Sequence, residues 1–69
     1  MPLTMANTNE SYIIKRVGGK DTVKKFLETL GFNVGSEITV VNEVSGNLIV
    51  NVKESRVAIS KEMAIKIQV

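Results

Sequence analysis

Between Leu27 and Val41 the chain reads LETLGFNVGSEITVV, and across this stretch the apolar period changes from about 3.6 residues to about 2. Before the change, Val23, Phe26, Leu27 and Leu30 fall at i, i+3, i+4 and i+7, an apolar helix stripe, with Lys24, Lys25, Glu28 and Thr29 on the other face. After it come β-branched runs with partial alternation. The chain must reverse where its period changes, and two glycines supply the backbone freedom. Gly31 suits the C′ position of a helix, where positive φ ends the helix without steric cost, and Phe32 after it can fold back on the stripe. Val34 and Gly35 suit the centre of a type II turn, whose second central residue needs positive φ.

The remaining elements follow from the same signals. Residues 1–10 are small and polar and are expected to form a flexible tail, leaving a domain over residues 11–69. SYIIKRV, 11–17, reads as a first strand ending at Gly18-Gly19. Asp21 stands where an N-cap belongs, able to accept from the N–H groups of Val23 or Lys24. Strands are expected over 37–44, 48–53, 56–59 and 65–69, with Ser45-Gly46-Asn47 and Glu54-Ser55 as hairpin connections and Ser60 capping a short helical turn in SKEMA. A mainly β fold is implied, with one helix between strand 1 and strand 2. About five short strands on so few residues suggest a strongly bent antiparallel barrel, since closure hides edges that a flat sheet would expose.

Composition excludes more chemistry than it suggests. The sequence has no cysteine and no histidine, which removes disulfides, thiolate zinc sites and imidazole bases and makes the cytosol the expected compartment. The carboxylates Glu10, Asp21, Glu28, Glu37, Glu43, Glu54 and Glu62 are scattered singly, so neither a metal site nor a cofactor is expected. The serines have no histidine partner, and no enzyme is expected. GGKDT near a helix start resembles a phosphate loop only in part: Ile14 stands where the first glycine would be, and Asp21 where a hydroxyl residue should follow Lys20. No window reaches the roughly 18 apolar residues of a membrane span, and the start carries no secretory pattern. The net charge of +2, with basic and acidic residues alternating, and only three aromatic residues argue weakly for nucleic acid.

Leu30-Gly31, Gly35, Glu37-Ile38-Thr39-Val40, Gly46, Leu48-Ile49-Val50, Arg56-Val57-Ala58-Ile59, Ala64 and Ile67 to Val69 follow one another in an order that resembles the ferrous iron transport protein A (FeoA) family over about residues 10–69. One position departs: the family often has proline before the turn glycine, and this chain has Val34. The resemblance implies an SH3-like β-barrel and a small cytoplasmic accessory protein of ferrous iron uptake, acting by contact with the FeoB membrane transporter and its GTPase region. The family label carries transition-metal binding with it. The same barrel occurs as an appended domain of metal-responsive repressors, and no helix-turn-helix precedes it in this sequence.

Recognition through surface is therefore the expected mode. Tyr12, Val34, Val41, Val44, Ile49 and Met63 need not all fit inside so small a barrel, and with Phe32 they are the candidate partner contacts along a groove between loops. Two alternatives stand beside this reading. One is an SH3-like nucleic-acid-binding module; the other is a self-associating barrel in which an edge strand such as 65–69 pairs with a second copy.

Overall fold

The fold is described from a computed structural model covering residues 1–69. The segment expected as one strand over 11–17 is split in two. Strand β1 (Ser11–Ile13) pairs antiparallel with β3 (Glu37–Val44), whereas β2 (Arg16–Val17) pairs antiparallel with β6 (Ile67–Gln68). Ile14 is the corner between them. Its side chain is fully buried, its N–H donates to Ser36 O at 2.9 Å, and its carbonyl accepts from Gly35 N at 2.8 Å. The chain thereby passes from one sheet to the other, giving six strands in two sheets rather than about five in one closed ladder.

The larger sheet has the order β1-β3-β4-β5, where β4 is Asn47–Val52 and β5 is Ser55–Ser60. Its two hairpins turn on two residues each, Ser45-Gly46 (φ 50 and 80) and Lys53-Glu54 (φ 48 and 64), the paired positive φ of type I′ turns. The second turn therefore lies one residue earlier than Glu54-Ser55. Alternation then fixes the core: Ile38 and Val40 from β3, Leu48, Val50 and Val52 from β4, and Ile59 from β5 all point inward. Leu27, Phe32, Ala64, Ile67 and Val69 fill the other side, and no polar residue is buried.

Helix α1 spans Asp21–Thr29. Its N-cap is Lys20, which makes no side-chain cap, so Asp21 is the first helical residue rather than the cap. There its carboxylate still opposes the positive end of the helix. The C-terminus follows the Schellman pattern: Phe32 N donates to Leu27 O at 3.0 Å, Gly31 N donates to Glu28 O at 3.0 Å, and Gly31 has φ +102. Ser36 N donates to Asn33 O at 3.0 Å around Val34 and Gly35, with Gly35 at φ +91, as a type II turn requires. A Cβ on Gly35 would meet nothing within 4 Å, so the only obstacle to substitution is the backbone angle. Gly35→Val should cost at least about 1 kcal/mol in a urea or thermal melt, because a β-branched residue is strained at positive φ. Helix α2 (Lys61–Ala64) is capped as expected, with Ser60 Oγ accepting from Met63 N at 3.3 Å.

The first ten residues differ most from expectation. Leu3 is 1% exposed at the start of a 3₁₀ turn, Leu3–Met5, and belongs to the core. Pro2 bridges Gln68, the Met1 amine donates to Val69 O at 3.1 Å, and Val69 N donates to Met1 O at 2.8 Å. Further on, Asn9 N donates to Val40 O at 2.7 Å. The segment expected to be a tail packs because one leucine and its backbone groups find partners, which polar composition conceals. Leu3→Ala should destabilise the fold by about 2–5 kcal/mol, as for other fully buried leucines, and a shift in urea midpoint without a change in slope would register it.

Candidate interaction surface

No enclosed pocket opens on the molecule, between the loops or elsewhere. The candidate residues separate into three groups. Phe32 is fully buried and Met63 half-buried against the core; both are packing residues. Tyr12 lies opposite Ile38 and packs on the core, while its hydroxyl accepts from Asn7 N at 3.1 Å and donates to Glu10 Oε2 at 3.0 Å. That ring fastens residues 7–10 to the sheet and is not free for a partner.

Val41, Val44 and Ile49 come together on the outer face of the larger sheet. The register slips between Val40 and Asn42, so Val41 is the extra residue of a bulge and stands with Asn42 against Ile49. Ala58 is the next neighbour of Ile49 across β5, and Val44 lies two positions along β3 from Asn42. The same face carries a polar row: Ser11 Oγ meets Thr39 Oγ1 at 3.2 Å, and Arg56 Nε donates to Asn51 Oδ1 at 3.3 Å. Val34, 67% exposed, stands at the tip of the type II turn.

Phe26 also departs from the place its periodicity implies. It is 50% exposed, although it falls on the apolar stripe. Successive helix residues are about 100° apart, so a helix that points Leu27 into the core turns Phe26 to one flank. Leu27 is fully buried, Val23 and Leu30 are half-buried, and so is Lys24 on the opposite flank. Periodicity fixes the width of the stripe but not which part of it faces inward.

Charge is also less evenly spread than the sequence suggests. Lys15, Arg16, Lys20, Lys24 and Lys25 lie immediately before or within β2 and α1 or in the residues joining them, with Asp21 among them and Glu28 following in α1. Lys66 joins them in space: its carbonyl accepts from Gly18 N at 2.7 Å, and its side chain lies beside Gly19. Six of the nine basic residues thus fall in residues 15–25 and at Lys66, and five of the seven carboxylates lie outside β2 and α1. One ion pair is present, Lys61 Nζ to Glu43 Oε1 at 3.3 Å, exposed at both ends. Nowhere do three carboxylates converge as a metal cage would need.

Residues 1–69, the whole length described, match the FeoA domain. The chain belongs to the FeoA domain family. It is 32% identical over 68 residues to a protein of Methanocaldococcus jannaschii named provisionally as Fe(2+) transport protein A, covering 99% of this chain and 83% of the relative. Among solved structures it resembles Stenotrophomonas maltophilia FeoA complexed with zinc, described as a prokaryotic SH3 domain protein, with TM-score 0.84, 24% identity, and 99% and 87% of the two chains covered. A manganese-dependent transcriptional repressor shares the fold at TM-score 0.85 and 16% identity, over 97% of this chain and 39% of the repressor. The fold is accordingly mainly β and SH3-like, with six strands and two helices. Its recurrence in a repressor shows that the fold alone does not carry the function.

Proposed function

We propose that this FeoA-family protein is an accessory factor of ferrous iron uptake that acts by contact with the cytoplasmic, GTPase-bearing side of a FeoB-like membrane transporter, and not by catalysis. The carrying observation is Phe26, an aromatic ring half in water on a helix that also carries Lys24 and Lys25. Aromatic side chains are enriched among the residues that dominate protein interfaces, and clustered cations steer an acidic partner toward them. The name of the Methanocaldococcus relative supports iron transport as the setting. No helix of the chain is long and apolar enough to cross a membrane, which suits a partner of a membrane protein working from the cytoplasm. The outer-face group Val41, Val44 and Ile49 is the second candidate surface.

Titrating the chain against the purified cytoplasmic region of the transporter tests the proposal. Saturable binding that weakens with added salt is expected; no binding in either the GTP or the GDP state would remove it. Binding to RNA instead, with a steep salt dependence, would move the function to the nucleic-acid class.

A further inference from the structure

Each sheet in this fold has edges, and all but one of them are short or covered. Strand β1 is three residues long. The strand over 65–69, expected to be free, is paired on both sides: β6 bonds β2, and Met1 and Pro2 lie along its other edge. Strand β5 is the exception. It runs for six residues without a bulge, contains no proline, and pairs only with β4.

Its hydrogen-bonding parity follows from the hairpin. A two-residue type I′ turn is flanked by a hydrogen-bonded pair, Val52 with Ser55, and in an antiparallel ladder such pairs alternate. Val50 with Val57 and Leu48 with Ile59 are therefore the other bonded pairs. The N–H and C=O groups of Arg56 and Ala58, and the N–H of Ser60, point away from the sheet. No backbone bond outside the ladder reaches them, and the three side chains above them are exposed. Natural edges of this length are usually blunted by proline, charged side chains, bulges or a covering element, and β5 has only the single charge of Arg56.

We propose that β5 is a homodimerisation edge, pairing antiparallel with β5 of a second copy in the register that sets Ala58 opposite Ala58. In that register Ala58 meets its own counterpart in a hydrogen-bonded pair, and Arg56 meets Ser60 of the second copy on either side of the two-fold axis. The Ala58 groups bond each other across the axis, each Ser60 N–H donates to the Arg56 C=O of the second copy, the Arg56 N–H stays with solvent, and the two larger sheets join into one of eight strands. The sequence is self-complementary here. The smallest side chain sits on the axis, and each arginine faces a neutral serine. The two arginines lie four residues apart along the pair, about 14 Å at about 3.4 Å per residue, beyond the ~8–10 Å screening length of physiological salt. A parallel arrangement would set arginine beside arginine, and like charges side by side disfavour it. The proposal is independent of the transporter reading.

The test is molar mass against concentration, by light scattering or sedimentation, from about 10 μM to 1 mM. Wild type should move from the 7.6 kDa monomer toward twice that mass. Ala58→Pro removes only an outward N–H, the placement in which an edge strand tolerates proline, and should stay monomeric throughout while keeping a cooperative melt. Ala58→Glu, which brings two carboxylates together on the axis, should also stay monomeric and serves if the proline variant fails to fold. A wild type that remains monomeric at 1 mM would overturn the proposal, as would a dimer that survives both substitutions. Wild-type mass doubling that both variants abolish supports it.

Discussion

Phe32→Ala should remove a large share of the stability of the fold. Phe32 is the largest of the fully buried side chains, and removing such a ring costs about 3–5 kcal/mol through lost burial and the cavity left behind. A native domain is stable by roughly 0.05–0.15 kcal/mol per residue, about 3–10 kcal/mol for a chain this short, so the loss takes about a third of the stability or more. The position adds a second cost. Phe32 N–H closes the Schellman end of α1 on Leu27 O, and its ring anchors that end in the core. Truncation frees the helix terminus as well as opening a void. Circular dichroism should show the melting temperature down by about 15 °C or more, given roughly 4–8 °C per kcal/mol for a domain of this length. Phe26→Ala is the matched control: the same substitution at a half-exposed ring should cost far less. Equal losses at the two positions would mean that α1 is rotated from the orientation described.

That contrast marks what the sequence makes legible. The roles of Gly31, Gly35 and Ser60 are legible because they are local: a positive φ, a turn or a cap is decided by a few neighbouring residues. Strand β3 was placed to the residue because two features bound it, the turn at Gly35 before it and the hairpin glycine at Gly46 after it. The break at Ile14 has no such mark. SYIIKRV is uniformly strand-forming, and only the competing partners Glu37 to Thr39 on one side and Ile67 to Gln68 on the other divide it. Leu3 was missed for the same reason, since a single leucine in a polar run has no period. The gathering of Lys66 with the lysines of α1 depends on the pairing of β2 with β6, a contact between residues some fifty positions apart. Of the candidate contacts, Val41, Val44 and Ile49 share a face, whereas Tyr12, Phe32 and Met63 pack inward. The exposed aromatic on α1 could not be found from periodicity, because rotation about the helix axis is fixed by tertiary packing.

Phe26→Glu should weaken the proposed transporter contact by at least about tenfold, or about 1.4 kcal/mol, while leaving the fold intact. The ring is half in water, so exchanging it for a carboxylate leaves no buried charge behind and should shift the melting temperature only slightly. At an interface the same change removes an aromatic anchor and lowers the net positive charge of α1, weakening the attraction for an acidic partner. The charge effect is screened by salt and the loss of the ring is not, so titrations at low and high ionic strength separate the two. Ile49→Glu, on the outer face of the sheet, is the comparison. If α1 forms the contact, the sheet variant should bind like wild type and only the helix variant should fail. The reverse pattern would transfer the contact to the face shared by Val41, Val44 and Ile49. Wild-type binding by both variants would leave neither apolar surface in contact with the transporter, and the assignment of Phe26 as the anchor would be wrong.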